Sequence, residues 1–557
     1  MSVFRALVVD DDEWVRKTGR ETNDPGAGIE VLVAKTKEEA AELIGSNFLH
    51  VAVVDLELRK SPRALAEGQL VLSGLKSDRP SCRRLLLTRH ATTFPEQVFE
   101  TLRPDGPTVD GAIDKANLSG YFHGYLKSLA AAWTTAPVEI TNLDNIYALL
   151  ETKGIRGGAL LGKFPVEATR DELRFVLASL FGQRYRWHDD PPDPDDVEKV
   201  SLEPLLGGKS RSIVLYGRPL NRLREEGLLC VVKVGPRLEA EEELRRYEKY
   251  VRFRLSLRRR VELLGSAIGD TLGAIAYSFA GEDPADIGDL QTLIDSEDRG
   301  AFAHFHALYD DGGHGRTSDD RGGDLGEFFR RAYRIKPFDI RQRIQSFADD
   351  QAEANEWQHR GDELRVSGGK LVLPSEDTIG MGLLHMGYRS TVVHGDLNAS
   401  NVIIGNDNRS ILIDYRHTAR GPRALDLAAM HASLRISRTA QGQPAEQAAK
   451  DEALEYRLWE HNWSSDEAWW PAQAATDPPY WLQGAAELMR VAAERLPDLT
   501  QAEHAATLWL YALRVFRVQS LEPEAKLRLL IWMSALQRVL VAEAEKPTPA
   551  ADPPPRR

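Results

Sequence analysis

The stretch from 394 to 426, HGDLNASNVIIGNDNRSILIDYRHTARGPRALD, constrains this chain more than any other. It sets a carboxylate and an amide on one short loop, Asp396 and Asn401, and brings in a second carboxylate, Asp414, after an apolar run. Two carboxylates and an amide offer only oxygen donors. That suits Mg²⁺, a hard cation commonly held by a few protein oxygens together with substrate phosphates. Asp396 can meanwhile accept a proton from an incoming hydroxyl. The stretch reads as a place for a metal-bound polyphosphate.

The bulk of the chain is compatible with that chemistry. Its 557 residues allow three or four compact units, and 42% hydrophobic with 28% charged residues is the balance of a globular protein. A net charge of −13 argues against wrapping nucleic acid, which needs a basic field to neutralise phosphates. The two cysteines, Cys82 and Cys230, lie far apart and define neither a disulfide framework nor a thiolate metal site. The start of the chain lacks the flank, apolar core and cleavage site of a signal peptide, and the apolar runs are too short to span a bilayer. A cytoplasmic protein without membrane segments is expected.

From residue 4 to about 133, short apolar runs alternate with amphipathic stretches. Strands are predicted at 5–10, 29–34, 50–55, 84–88 and 111–115, and helices at 13–21, 36–45, 69–76, 95–102 and 119–133. Such alternation implies an α/β doubly wound parallel sheet, whose ligands bind at the carboxyl ends of the strands. Asp10 and Asp11, Asp55, Thr88 and Lys115 fall at those ends. Three carboxylates, a hydroxyl and an amine converging there suit acyl-phosphate chemistry. The carboxylates would bind Mg²⁺, Asp55 would act as nucleophile, Lys115 would neutralise the added charge and Thr88 would sense the phosphoryl oxygens. In order and spacing these five positions resemble the response-regulator receiver domain, over residues 3 to about 133. The resemblance implies Asp55 as phospho-acceptor, Asp10 and Asp11 as metal ligands, and a sensor histidine kinase as phospho-donor. The alternative is a receiver fold that no longer accepts phosphate and serves only as a docking or homodimer face. Arg89, where the family usually has a very small residue, and Ala116, where it usually has proline, depart from the pattern.

Residues 134–196 read as a connector holding one helix, over 170–181, and an acidic, proline-rich linker, DDPPDPDD, at 189–196. GGALLGKF at 157–164 has the outline of a phosphate loop but ends in Phe164, where Ser or Thr is needed for Mg²⁺, so it reads as a chance match. From 197 the pattern becomes strand, turn, strand. The turn holds Gly207 and Gly208, where backbone N–H groups can approach phosphate oxygens closely. Lys233 closes the third strand, where its ammonium can pair with an ATP phosphate. On the following helix, 238–253, Glu243 shares a face with Tyr247 and Val251 and is the candidate to orient Lys233, with Glu242 one residue away. A hairpin over 262–279 leads to a lobe connection. Residues 284–385 are expected to be mostly helical, with a Gly/Asp-rich loop at 310–324; His304 and His306, two apart on a helix, face different ways and are read as structural.

With Lys233 upstream, the 394–426 stretch resembles the aminoglycoside phosphotransferase and choline kinase-like superfamily of the protein-kinase-like fold, over 197 to about 540. Asn401 follows Asp396 by five, Asp414 follows Asn401 by thirteen, and Asp426 follows Asp414 by twelve. The resemblance implies Asp396 as catalytic base, Asn401 and Asp414 as Mg²⁺ ligands, Lys233 as a phosphate contact of ATP and Asp426 as a structural anchor. Asn398, Ala399 and Ser400 stand where many relatives have His-Pro-Gly. The helical remainder is rich in tryptophan (Trp459, Trp463, Trp469, Trp470, Trp481), which core packing explains most cheaply, and the tail from 546 is proline-rich.

The expected organisation is thus multidomain: a receiver (1–133), a connector (134–196), an α+β two-lobed kinase-like domain with its N-lobe at 197–279 and a helical C-lobe at 280–545, and a tail (546–557). The expected function is a bacterial signalling-type, two-component phosphotransferase. It would move a phosphoryl group from ATP to a hydroxyl of a small molecule or protein, under control of Asp55. The rival reading is a non-catalytic pseudokinase scaffold that senses nucleotide and aspartyl phosphate and recruits partners.

Overall fold

The structure is a computed structural model that describes residues 4–55, 58, 65–79, 81–88, 109, 111–115, 124–128, 138–152, 166–182, 197–205, 212–256, 258–281, 288–310, 321–334, 337–366, 369–375, 386–405, 407–437, 447–462, 479–496 and 498–546. The chain divides into two compact units, residues 1–244 with 262–279, and residues 245–261 with 280–557.

The first unit opens with β1 (Phe4–Val9), α1 (Glu13–Glu21), β2 (Ile29–Ala34), α2 (Lys37–Ser46), β3 (Val51–Asp55), α3 (Leu65–Asp78), β4 (Arg83–Thr88) and β5 (Gly111–Asp114). The five strands form one parallel sheet in the order β2-β1-β3-β4-β5. Successive residues of a strand point to opposite faces, and here both faces are covered. Ala6 and Val8 join one core with Val15 of α1, while Leu7 and Val9 join another with Ile44 of α2 and Leu72 of α3. That is why these strands read as unbroken apolar runs. Asp12 caps α1 by accepting the N–H of Trp14 at 2.9 Å, so the chain turns into a helix directly after Asp10 and Asp11.

The described parts of the 134–196 connector, residues 138–152 and 166–182, belong to this unit. β6 (Glu139–Thr141) pairs in parallel with β7 (Val197–Pro204) and extends a six-stranded sheet, β10-β11-β9-β8-β7-β6. Its other strands are β8 (Ile213–Asn221), β9 (Cys230–Pro236), β10 (Leu263–Ile268) and β11 (Leu272–Ser278), and the helix after β9 is α6 (Arg237–Arg246), with α4 (Leu143–Thr152) and α5 (Val166–Phe181) preceding β7. Ile146 and Leu150 of α4, with Leu173, Val176 and Leu177 of α5, share a core with Val200, Leu215, Val232 and Ala274 of the sheet. A three-residue strand and two short apolar faces carry too little pattern for sequence to assign them to a sheet.

The parallel sheet meets this second sheet through the amino-terminal ends of its strands. Arg5 pairs with Asp171 of α5 at 2.9 Å, Phe48 meets Phe175 with ring centroids 5.5 Å apart, and the Ser81 hydroxyl donates to Asp270 of the β10–β11 turn at 2.7 Å. Arg79 closes the contact. It is buried with Nε 3.6 Å from Asp270 Oδ2, and it also donates to the Ile44 carbonyl at 2.9 Å. Beside it lies buried Glu172, which accepts the N–H of Thr271 at 2.5 Å, its hydroxyl at 2.6 Å and the N–H of Leu272 at 2.8 Å.

The second unit is mainly helical but holds three small sheets. β12 (Gly288–Asp289) joins β18 (Val402–Ile404) and β19 (Ser410–Leu412); β13 (Arg321–Asp324) joins β17 (Gly387–Val393) and β20 (Ala419–Pro422); and β14 (Gln358–Arg360), β15 (Glu363–Val366) and β16 (Gly369–Val372) form a meander. Of these strands, β12–β16 lie within 284–385, the stretch expected to be mostly helical. Apart from the seven-residue β17, these strands have two to four residues and are too short to show alternation. The helices that matter for the site are α7 (Leu290–Asp295), α8 (Ala301–Asp310), α9 (Leu325–Tyr333), α10 (Pro337–Ala354), α11 (Leu425–Ile436), α12 (Ala448–Asn462), α13 (Tyr480–Arg495), α14 (Gln501–Phe516) and α15 (Pro523–Glu545). Among the described residues, no helix is long and apolar enough to cross a membrane.

Candidate functional site

At the carboxyl ends of the parallel strands, Asp10, Asp11 and Asp55 bring ligand oxygens within 4.8 Å of one another. Lys115, directly after β5, places Nζ 2.5 Å from Asp55 Oδ2 and 2.9 Å from Asp10 Oδ2. Burial pushes the Asp10 carboxyl up to about 6, and the nearby Asp55 charge adds to this. Burial works against the Lys115 ammonium, but its bonds to Asp55 and Asp10 outweigh that and hold its pKa above the usual lysine value. Three clustered carboxylates with one bridging cation are a set of hard oxygen donors whose mutual repulsion a divalent ion relieves, so these residues fit Mg²⁺. Thr88 ends β4, one strand across from Asp55, where Asp55 and Leu87 are register partners. Arg89 and Ala116 lie outside the described residues.

On the antiparallel sheet of the same unit, Lys233 of β9 places Nζ 2.6 Å from Oε2 of Glu243 on α6. Glu243 is buried, and its Oε1 accepts the hydroxyl of Tyr277 at 3.0 Å. Helical spacing from the end of β9 turns Glu243, and not Glu242, toward the lysine. The Tyr277 bond to Oε1 anchors the carboxylate whose Oε2 holds the ammonium. Gly207 and Gly208, like the segment 157–164, lie outside the described residues.

In the second unit the loop after β17 is pinned from α11. Asp426, 2% exposed, accepts the backbone N–H of His394 and of Gly395, each at 2.8 Å, and Ser433 of the same helix accepts that of Ala399 at 3.0 Å. Gly395 has φ +80°, and a Cβ there would lie 2.4 Å from the His417 carbonyl oxygen, so glycine is required. His394 donates from Nε2 to the Ile413 carbonyl at 2.8 Å, and the N–H of Ile413 donates to the Asn401 carbonyl at 3.1 Å. These bonds tie the Asp396–Asn401 loop to the segment that carries Asp414.

Within the loop, the Asn401 amide donates Nδ2–H to the Asp396 carbonyl at 2.8 Å. That directs the amide's donor inward and leaves its oxygen as a ligand, which fits a cation. Asp414 has φ +63° and ψ +70°, a left-handed conformation that costs a non-glycine residue on the order of 1–3 kcal/mol. Such strain persists only where the surroundings over-determine it, and the following Tyr415 does this: it is buried and donates to the Leu412 carbonyl at 2.5 Å.

Asp396 itself carries partners that its spacing in the sequence does not announce. Its side chain is 24% exposed, and its Oδ1 receives the Tyr511 hydroxyl at 3.0 Å and the Arg514 guanidinium at 2.9 Å, both from α14. Arg514 lies over the Tyr333 ring at 4.1 Å and the Tyr511 ring at 5.0 Å, and it donates to the Gly395 carbonyl at 3.3 Å, as Tyr333 does at 2.7 Å. Burial keeps the Tyr511 phenol protonated far above its ordinary range, and burial lowers nearby His417 to about 4, leaving it neutral at pH 7. The only sequence signal for this cluster is the i, i+3 spacing of Tyr511 and Arg514 on an otherwise buried helix.

Other features prove structural. The His304 ring bonds the Ser410 hydroxyl at 2.9 Å through Nδ1, whereas His306 bonds Glu487 at 2.6 Å, so the two diverge. Trp459 and Trp481 are buried, while Trp463, Trp469 and Trp470 lie outside the described residues. Around them run buried ion pairs, Arg435 with Glu455 at 2.7 Å and Arg528 with Asp451. Cys82 and Cys230 are buried thiols.

Fold and sites thus define a receiver-like α/β sheet followed by a kinase-like α+β chain. A family model described as the phosphotransferase enzyme family matches residues 280–461. No curated protein matches the chain. Among solved structures, a CheY-like response regulator receiver domain protein from Methanospirillum hungatei is 23% identical, covering 23% of this chain and 96% of its own, with a TM-score of 0.18. The aminoglycoside phosphotransferase APH(3'')-Id from Streptomyces rimosus is 16% identical, covering 56% and 92%, with a TM-score of 0.29. The choline kinase LicA from Streptococcus pneumoniae is 12% identical, covering 57% and 93%, with a TM-score of 0.24.

Proposed function

We propose that the protein is an ATP- and Mg²⁺-dependent phosphotransferase that moves the γ-phosphoryl group to a hydroxyl, under the control of an aspartyl phosphate on Asp55. The observation that carries this reading is the loop pinned by Asp426, with Asp396 and Asn401 on it and Asp414 bonded to it through Ile413 and Asn401. Phosphoryl transfer needs little covalent help from a protein. It needs positioned reactants and fixed charge around the equatorial oxygens. Asn401 and Asp414 would hold Mg²⁺, which would supply positive charge to offset the charge developing on the phosphates. Asp396 would orient the acceptor hydroxyl and take its proton as the new O–P bond forms and the bond from Pγ to the β-phosphate oxygen breaks, releasing ADP. Lys233, held by Glu243, would contact the nucleotide phosphates.

In the receiver, Asp55 would attack the phosphohistidine of a sensor histidine kinase, breaking its P–N bond. Asp10 and Asp11 would hold Mg²⁺, and Lys115 and Thr88 would contact the phosphoryl oxygens. The acceptor is a small molecule or a protein side chain, the dependence on ATP fits a cytoplasmic protein, and a homodimer through the receiver is the simplest route for the signal.

ADP release from Mg-ATP across a broad panel of hydroxyl acceptors tests the reading. Wild type should exceed Asp396→Asn and Asp414→Asn with at least one acceptor. Equal rates in a wild type that binds Mg-ATP would instead support the nucleotide-sensing scaffold.

A further inference from the structure

Asp396 is the residue on which phosphoryl acceptance depends, yet nothing on its own loop fixes its carboxylate. The loop's bonds hold backbone: Asp426 accepts the N–H groups of His394 and Gly395, and the Asn401 amide donates to the Asp396 carbonyl. The carboxylate is held from α14, more than a hundred residues later. Thr500 caps that helix by accepting the N–H of Glu503 at 3.1 Å, which sets its start and hence the phase of its later turns. In that phase Tyr511 and Arg514 reach the same oxygen, Oδ1.

We infer that Arg514, assisted by Tyr511, is the positioning residue that presents Asp396 to the acceptor hydroxyl. The inference rests on the phosphotransferase reading for its catalytic consequence, but not for its geometry. Arg514 is held on four sides: by Asp396 Oδ1, by the Gly395 carbonyl and by the rings of Tyr333 and Tyr511. A guanidinium so enclosed is a fixed part of the frame and not a mobile latch. It remains cationic at any working pH. Its two terminal nitrogens meet consecutive residues of the loop, Nη1 the Gly395 carbonyl and Nη2 the Asp396 carboxylate, so one rigid group sets the distance between them.

The two oxygens of Asp396 are thereby made unequal. Oδ1 is committed to two donors, and among the described residues no hydrogen bond reaches Oδ2. One oxygen is anchored and the other presented, in a side chain that remains 24% exposed. Phosphoryl transfer depends on aiming the acceptor hydroxyl, and a carboxylate held in one orientation does this. Neutral His417 adds no second positive charge that would cancel the carboxylate.

The test uses the full chain as wild type, Arg514→Met, Arg514→Lys and Tyr511→Phe, with Mg-ADP for binding, Mg-ATP with the acceptor panel for turnover, and hydrogen exchange of the 394–401 backbone for loop order. Arg514→Met should lower kcat roughly 10- to 100-fold, the scale of a displaced reacting group, with Mg-ADP affinity unchanged and loop exchange accelerated. Arg514→Lys should restore part of kcat, and Tyr511→Phe should cost less than Arg514→Met. Unchanged or increased turnover in Arg514→Met, or loss of Mg-ADP binding in proportion to turnover, would overturn the assignment. If wild type shows no turnover, the phosphotransferase reading falls, and loop exchange alone then decides the positioning role: unchanged exchange in Arg514→Met refutes it.

Discussion

Replacing Arg79 with methionine probes how firmly the receiver sheet is joined to the sheet that carries Lys233. Arg79 faces two buried carboxylates, Asp270 and Glu172, and is the cation that offsets them. Burial, followed by the Glu172 charge, pushes Asp270 up to about 7, and burial likewise raises Glu172. Methionine fills much of the same space but leaves both carboxylates without that cation. Breaking a buried pair in this way costs about 3–5 kcal/mol, because the remaining charge is still desolvated. At about 2 °C per kcal/mol for a unit of this size, the corresponding calorimetric transition should fall by roughly 6–10 °C at pH 8.

The pH dependence has a definite sign. A carboxyl whose folded pKa lies above its unfolded value binds more protons when folded, so stability declines as pH rises through the window from 3.8 to about 7. The Arg79→Met deficit should therefore shrink at pH 5, where Asp270 is protonated in the folded protein. Adding Asp270→Asn should recover part of the loss at pH 8, since the substitutions share one partner. A deficit under about 1 kcal/mol, or one that is the same at pH 5 and pH 8, would refute the view that Arg79 balances these two acids.

Three further outcomes are expected. Lys233→Met and Glu243→Gln should each weaken Mg-ATP binding by roughly 10- to 100-fold, the worth of a charge-assisted hydrogen bond, in titration calorimetry; an unchanged Kd would remove this pair from the nucleotide site. Asp426→Asn loses an acceptor for one of two backbone N–H groups and should destabilise the 394–401 loop by about 1–3 kcal/mol, read as faster hydrogen exchange there, whereas unaltered exchange would show that the loop is held otherwise. Acetyl phosphate with Mg²⁺ should label wild type on Asp55 and leave Asp55→Asn unlabelled, and Lys115→Ala should retain the Mg²⁺ site; labelling of Asp55→Asn would place the acceptor elsewhere.

Residues at strand ends and on short loops were the legible ones. Asp10, Asp55, Thr88 and Lys115 could be placed together because parallel strands have one carboxyl edge, and β1, β3, β4 and β5 present them along it. Glu243 could be preferred to Glu242 by helical phase alone. The connector's place in a sheet was not legible, because β6 has three residues and pairs with a strand nearly sixty positions later. The meander of β14–β16 was hidden for the same reason of length. Arg514 and Tyr511 escaped notice because a buried helix conceals its polar positions among apolar ones, and only tertiary folding brings α14 to Asp396.

The receiver is joined to its neighbouring sheet by residues at the amino ends of its strands, while Asp55 lies at the carboxyl end of β3, some 15 Å away at roughly 3.3 Å per residue. The most direct test is ADP formation from Mg-ATP with an accepted hydroxyl, measured on the same preparation before and after stoichiometric phosphorylation by acetyl phosphate, alongside Asp55→Asn and Asp396→Asn. A receiver-controlled phosphotransferase predicts a rate that changes on phosphorylation in wild type, stays constant in Asp55→Asn and is abolished in Asp396→Asn. A rate in Asp396→Asn equal to wild type, or a wild-type rate unmoved by full occupancy of Asp55, would contradict it.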